Sequence, residues 1–330
     1  MSRSVRIVYG TMEFGRRMNA DESQKVVDLF LSKGYSELDT ARMYADGKSE
    51  KIIGEFPDSI KSKASIATKA NPSSGLNAAG IAAQMSESLD CLQSKSVDIF
   101  YLHMPDHNTP IEETLQACQQ LYTEGKFKEL ALSNYSAWQV AEIYCICQRN
   151  GWVLPTLYQG MYNAITRSVE KELFPALRHF GMRFYAYNPL AGGLLTGKHK
   201  FESANEPEKQ PVSRFFGAGG IWAEKYRDRF WKEQNFHGIE LVSKALKDTY
   251  GVNDNGELRV SLIDASLRWL KYHSMLLGEQ NDGIILGTSN YEQMVENLAA
   301  CEGGPLEPAI VSAFDTAWDM AKAHCPDYFR

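Results

Sequence analysis

Short apolar runs, four to seven residues long, recur along the chain at 5–9, 36–39, 65–69, 97–103, 129–133, 156–159, 183–187 and 283–286. They are apolar throughout rather than strictly alternating, which is the pattern of parallel strands covered on both faces. The first seven begin about 30 residues apart, the length of one strand–helix unit. Amphipathic stretches fill the gaps. Asp21 reads as the N-cap of the first, with apolar positions at helical spacing from Glu22 to Leu31 and Gly34 as its stop. The segments 76–92, 111–124, 138–149, 169–180, 239–247, 262–271 and 291–300 read in the same way, and a last helix and tail run from Pro308 to Arg330. Eight strands alternating with helices predict an α/β fold, a closed (β/α)8 TIM barrel, rather than an open sheet.

One interval breaks the rhythm. Residues 199–235 are rich in Gly, Pro, Ser and charge, and then carry Arg214, Phe215, Phe216, Trp222, Tyr226, Arg229 and Trp231. A long loop after strand seven with that aromatic and basic content reads as functional, since disordered linkers are poor in such residues. The strand–helix rhythm continues on both sides of it, so residues 1–330 are read as a single barrel domain.

Composition narrows the function. With 35 Lys+Arg against 41 Asp+Glu, the chain has a net charge of −6, which argues against a nucleic-acid partner. No window approaches the ~18 uninterrupted apolar residues of a membrane span, and no secretory leader is visible at the N-terminus. The six Cys lack metal-site spacing and read as reduced thiols. The expected compartment is the cytoplasm.

Barrel enzymes carry their reactive groups at the C-terminal ends of the strands. Here Asp39, Lys69 and His103 close strands two, three and four, and Tyr44 lies five residues beyond Asp39. Each residue alone has an ordinary structural role: a cap, a solvated amine, a satisfied imidazole. Their arrival at one rim is what points to a site that handles protons. Ser133 and Asn134 end strand five, Gln159 ends strand six and Asn188 follows strand seven. No Gly-x-Gly-x-x-Gly follows a strand, so a Rossmann-type nucleotide site is unsupported.

The run Leu38-Asp39-Thr40-Ala41-Arg42-Met43-Tyr44-Ala45-Asp46-Gly47-Lys48-Ser49-Glu50 resembles the signature of the aldo-keto reductases. So do Thr68-Lys69, Tyr101-Leu102-His103, Leu132-Ser133-Asn134-Tyr135 and Tyr158-Gln159-Gly160-Met161-Tyr162-Asn163. The segments Gly10–Arg17, Asn188–Lys198, Pro211–Gly217 and Cys325–Arg330 are most similar to its aflatoxin-aldehyde and succinic-semialdehyde reductase subgroup.

The resemblance implies a hydride-transfer enzyme that uses NADPH to reduce aldehydes. Tyr44 is then the proton donor, Lys69 lowers its pKa, Asp39 orients Lys69, and His103 hydrogen-bonds the substrate oxygen. For the cofactor the resemblance implies Asp39, with Ser133, Asn134 and Gln159 at the nicotinamide carboxamide and Tyr187 stacked on its ring. The pyrophosphate is expected along Asn188, Leu190, Gly192, Gly193, Leu194, Gly197 and Lys198, and the adenosine at Ser289, Asn290, Gln293 and Asn297. Arg214 is the candidate for the 2′-phosphate. Trp222, Tyr226, Arg229 and Arg330 are expected beside His103 at the substrate, the two guanidiniums suiting a carboxylated aldehyde. A homodimer is also implied. Two other readings stay open at this level: an NADPH-binding auxiliary subunit of a potassium channel, which shares fold and tetrad, and a Schiff-base aldolase using Lys69.

Overall fold

The computed structural model describes residues 4–217 and 221–330. Eight parallel strands close into a barrel in chain order: β1 Arg6–Gly10, β2 Glu37–Asp39, β3 Ser65–Ala70, β4 Val97–Leu102, β5 Phe127–Ser133, β6 Pro155–Met161, β7 Arg183–Tyr187 and β8 Gly283–Gly287. β1 pairs with both β2 and β8, which removes any exposed sheet edge. The TIM barrel expected from the apolar runs is thus observed, and each strand lies within two residues of its predicted bounds.

The helices are α1 Ala20–Ser32, α2 Lys48–Gly54, α3 Asp58–Lys61, α4 Ala78–Leu92, α5 Ile111–Thr123, α6 Ala137–Asn150, α7 Leu173–His179, α8 Ile221–Phe230, α9 Glu233–Tyr250, α10 Leu262–Tyr272, α11 Tyr291–Glu302 and α12 Pro308–Ala321. Outward strand side chains pack under them in one continuous core. Inward ones, including Val8, Ile99, Tyr101, Leu157 and Tyr185, fill the lumen. The N-terminal end of the barrel is plugged by ion pairs, Arg6–Glu37 at 2.7 Å and Arg183–Glu129 at 2.6 Å, with the Tyr185 hydroxyl donating to Glu37 at 2.7 Å. Any ligand traffic is therefore confined to the other end.

Four local expectations are corrected. The first helix is capped by Asn19, whose Oδ1 accepts the Glu22 N–H at 2.9 Å; Asp21 lies inside the first turn, where its charge still favours the helix N-terminus. The segment read as a helix over 169–180 is a 3₁₀ turn, Ser168–Glu170, followed by α7. Pro175 has no N–H to donate and so is confined to the first turn of that helix. The interval 199–235 is not one irregular loop. It contains α8, and α9 has begun by Glu233; residues 218–220 lie outside the described part. The charges Glu224, Lys225, Arg227, Asp228 and Arg229 hide α8 from a search for an apolar stripe. Finally, α2 and α3 occupy what reads as plain connection between β2 and β3.

Replacing Asn19 by Ala is expected to cost about 1 kcal/mol of unfolding free energy. Asp21→Ala is expected to cost less than half of that. Urea denaturation of the two variants checks the cap, and equal losses would return it to Asp21.

Candidate active site

The C-terminal ends of the strands surround a cavity of about 960 Å³. At its floor lies a buried ion pair. Lys69 Nζ donates to Asp39 Oδ2 at 2.6 Å and to the Thr40 carbonyl at 2.7 Å, and Gln159 Nε2 donates to Asp39 Oδ1 at 2.8 Å. Strand register sets this up. Gly10 pairs with Asp39, Asp39 with Ala67, and Lys69 with Tyr101, so Lys69 lies two residues beyond the partner of Asp39 on β3 and His103 two residues beyond the partner of Lys69 after β4. Burial pushes the Lys69 ammonium below its usual pKa, and the Asp39 carboxylate opposes that.

Tyr44 reaches the pair from the following loop. It opens a 3₁₀ turn, Tyr44–Gly47, in which Ala45 and Asp46 take left-handed φ values of 49° and 56°. Left-handed non-glycine residues are strained, so the turn is held by its surroundings. The Tyr44 ring centre lies 5.2 Å from Lys69 Nζ and 6.1 Å from the His103 ring, the two rings being nearly perpendicular at 81°. Asp39, Tyr44, Lys69 and His103 therefore do converge.

Two electrostatic details characterise the site. Burial pushes the resting Tyr44 phenol well above the ordinary value, the Asp39 carboxylate adds to this, and the Arg214 guanidinium opposes it. His103, in turn, is driven down to about 3 by burial, with the Lys69 ammonium a smaller cause. It is a neutral imidazole, and its buried Nδ1 has no partner among the described residues. The site thus holds a protonated phenol beside an ammonium that can stabilise a phenolate, and an uncharged imidazole beside both.

The wall after β7 forms a cradle. Asn188, Ala191, Gly192 and Gly193 have φ of 55°, 49°, 70° and 106°. Consecutive left-handed residues turn N–H groups toward a concave face that suits an anion. A Cβ on Gly192 would lie 2.6 Å from the Tyr226 ring, so only glycine fits there. Leu190 and Lys198 line the cavity beside these residues. Leu194 and Gly197 do not: the first is buried in the core, and the second packs against Leu262.

Opposite, the Asn134 Nδ2 donates to the His103 carbonyl at 2.8 Å and to Ser133 Oγ at 3.0 Å, while the Tyr187 hydroxyl donates to Asn134 Oδ1 at 2.9 Å. Ser133, Asn134, Gln159, Tyr187 and Asn188 all line the cavity. At its other end Ser289, Gln293 and Asn297 do so as well, whereas Asn290 caps α11 by accepting the Gln293 N–H at 2.9 Å. Arg214 lines the cavity with its Nη1 donating to the Tyr226 hydroxyl at 2.7 Å. Among the described residues no cluster could hold a metal ion, and no helix is long and apolar enough to cross a membrane.

Trp222, Tyr226, Arg229 and Arg330 form the outer wall. The Arg229 guanidinium lies 5.9 Å from the Tyr226 ring centre. The Arg330 backbone N–H donates to the Asn134 carbonyl at 2.9 Å, which docks this residue against the site. Sequence reasoning assigned no role to Arg16, Arg17, Lys48 or Met12, which also line the cavity. Their only signal was the adjacent Arg pair shortly after Gly10.

A tetrad of this geometry on a parallel barrel defines a carbonyl oxidoreductase, and the comparison with known families agrees. Residues 6–319 match the aldo/keto reductase family, and the chain belongs to it. Its relatives include the mouse (Mus musculus) aflatoxin B1 aldehyde reductase member 2, 58% identical across 98% of this chain and 87% of that protein. Two human (Homo sapiens) proteins are similar over 98% of this chain and 96% of their own lengths: aldo-keto reductase family 7 member A3, 56% identical, and aflatoxin B1 aldehyde reductase member 4, 55% identical. Enzymes of this family use a nicotinamide nucleotide.

Because His103 stays neutral down to about pH 3 rather than titrating near its reference 6.5, the kcat profile for carbonyl reduction is expected to show no step between pH 5.5 and 7.5 attributable to it. The raised Tyr44 pKa keeps the phenol protonated through that window. A kcat measured across the window that follows a single ionisation near 6.5, and loses it in His103→Asn, would overturn the neutral-imidazole assignment.

Proposed function

We propose that this chain is an NADPH-dependent reductase of aldehydes, with Tyr44 as the proton donor. The observation that carries the reading is the placing of Tyr44 and His103 over the Lys69–Asp39 pair, with ring centres 6.1 Å apart at the floor of a single cavity. Bound nicotinamide supplies the hydride. As negative charge grows on the carbonyl oxygen, Tyr44 gives up its proton to it and the Lys69 ammonium, 5.2 Å from the ring centre, stabilises the phenolate left behind. His103 donates a hydrogen bond from a neutral ring and so competes for no proton. Asp39 keeps Lys69 charged and fixed; an ammonium donating to two oxygens is a poor amine nucleophile, which disfavours the Schiff-base alternative. The nucleotide fits the cradle at Asn188–Lys198, whose left-handed turn suits a pyrophosphate, and the Tyr187 ring and Ser133, Asn134 and Gln159 suit the nicotinamide amide.

The favoured substrates are aldehydes bearing a carboxylate, such as succinic semialdehyde or 2-carboxybenzaldehyde; dialdehydes and aryl aldehydes share the same reactive end. Arg229 and Arg330 stand on one wall: burial lowers the Arg330 pKa, Tyr187 opposes, and Arg229 lowers it further. A carboxylate placed between them relieves that repulsion. Aldehyde reduction is also what the relatives' names state of those proteins.

Tyr44→Phe is expected to lower kcat by roughly 10²- to 10⁴-fold while NADPH binding, read from protein fluorescence, changes little. Wild-type turnover in that variant would dismiss the proton-donor role. Arg229→Ala is expected to raise KM for carboxylated aldehydes about tenfold, the scale of one charge-assisted hydrogen bond, and to leave neutral aldehydes nearly unaffected. Equal increases for both classes would remove the carboxylate clamp.

A further inference from the structure

Two aromatic rings lie close to the buried Lys69 ammonium. The Tyr44 ring centre is 5.2 Å from Nζ and the Tyr101 ring centre 5.1 Å. Only the first belongs to the chemistry described above. Tyr101 stands on β4 two residues before His103, has no exposed surface and lines no part of the cavity, so it touches neither substrate nor nucleotide. The fold nonetheless puts it against the ammonium. Lys69 and Tyr101 are paired in register across β3 and β4, and residues so paired share a face of the sheet.

The rest of the lumen shows what is unusual about Tyr101. Val8, Ile99, Leu157 and Ile285 fill the same space with aliphatic side chains. Tyr185, a second phenol of the lumen, donates to Glu37 at 2.7 Å, whereas the buried Tyr101 hydroxyl has no hydrogen-bond partner among the described residues. An unpaired buried hydroxyl costs stability. The hydroxyl therefore does not account for the residue; the ring face, negative by its quadrupole, does. Burial pushes the Tyr101 phenol well above its ordinary pKa, so the ring stays neutral. Lys69 Nζ makes two hydrogen bonds among the described residues, to Asp39 Oδ2 and the Thr40 carbonyl, which leaves one of its three N–H groups without an oxygen. The titratable groups around it are Asp39 on β2, Tyr44 and Glu50 in the segment before β3, and Tyr101 and His103 at β4. Asp39 is already paired, Glu50 accepts from the Thr68 hydroxyl at 2.5 Å, and Tyr44 and His103 face the cavity. Of this set, Tyr101 is the neighbour with no other engagement.

We infer that Tyr101 is a positioning residue for the hydride reduction: the face of its ring holds the Lys69 ammonium charged and in place, ready to stabilise the phenolate that Tyr44 becomes. This rests on the proton-donor reading above and deepens it. A cation over a ring gains most where water is excluded, as it is here. The pH dependence follows in sign. Burial lowers the Lys69 pKa and raises that of Tyr44. As pH rises, Lys69 is thus the first of the two to lose its proton, the phenolate is left without its cation, and reduction fails on the basic side. Weakening the hold of the ring disfavours the ammonium further and moves that failure to lower pH.

The test is the single-turnover rate of NADPH oxidation by 2-carboxybenzaldehyde, followed as a function of pH in the full chain. Tyr101→pentafluorophenylalanine, made by stop-codon suppression, keeps a packed ring but reverses the charge on its face. It is expected to slow the reaction about three- to tenfold at neutral pH and to bring the basic limb down by about one pH unit, the scale of one desolvated cation–π contact. The aldehyde KM and the NADPH affinity should stay within about twofold of wild type, since the residue lies outside the cavity, and retained NADPH binding also reports that the variant is folded. Tyr101→Phe keeps the face and discards only the unpaired hydroxyl, so its limb should coincide with that of the wild type. Tyr101→Leu removes the face and should move the limb as the fluorinated ring does. A limb that stays at the wild-type pH when the ring is fluorinated overturns the proposal, because packing alone then explains the residue. A limb that moves equally in Tyr101→Phe overturns it as well, by passing the role to the hydroxyl. A wild-type chain that does not oxidise NADPH with aldehydes removes the reading of the site, and this proposal with it; a working enzyme indifferent to fluorination removes the proposal alone.

Discussion

The structure of the site depends on one buried contact, the ion pair of Asp39 and Lys69. Removing two charges from water is costly, and such a pair persists only when the remaining lone pairs and protons are also satisfied. Here they are: Gln159 takes the second carboxylate oxygen and the Thr40 carbonyl takes a second ammonium proton. Breaking one partner would leave a bare charge, a loss of about 3–5 kcal/mol. The contact also contributes to the electrostatics above it. Burial keeps the resting phenol of Tyr44 protonated and the imidazole of His103 neutral, and the pair adds to both effects, Asp39 to the first and Lys69 to the second.

A chain with a net charge of −6 nonetheless places seven of its 35 Lys and Arg side chains along this cavity. Arg16, Arg17 and Arg214 meet at Glu13, and Arg229 and Arg330 stand at the outer wall. Bulk composition excluded a polyanionic partner while concealing two small basic pockets. Averages report on solubility and long-range fields; the local imbalance around one carboxylate becomes visible only when loops distant in sequence are brought together.

The strands were legible because parallel strands buried on both faces must be apolar throughout, and because the barrel repeats that demand eight times. The tetrad was legible for a related reason: Asp39, Lys69 and His103 stand at or just past the C-terminal ends of their strands, so placing the strands places them. What stayed hidden depends on contacts between segments far apart. Asn19 rather than Asp21 caps α1, a choice between two polar residues either side of Ala20 that sequence pattern does not settle. α8 buries only a narrow stripe, Ala223, Tyr226 and Phe230, and the charges between those positions obscure it. Glu13 and Arg17 read as ordinary charges in a turn until Ser289 and Arg214 arrive beside them.

The aromatic packing after β7 has a further consequence. Trp231 is ringed by His199, Phe215, Phe216 and Phe236 at 4.9–5.5 Å between centroids, and its indole N–H donates to the Phe201 carbonyl at 2.9 Å. The excursion after β7 is thereby fastened at His199, Phe201, Phe215, Phe216 and Trp231 to one hydrophobic knot, from the segment that carries Tyr226 and Arg229 back to its start. The hydrogen bonds of Lys209 and Gln210 within it return to Glu206. Residues 202–206 and 208–209 line no part of the cavity, so variation confined to them leaves its outer wall in place.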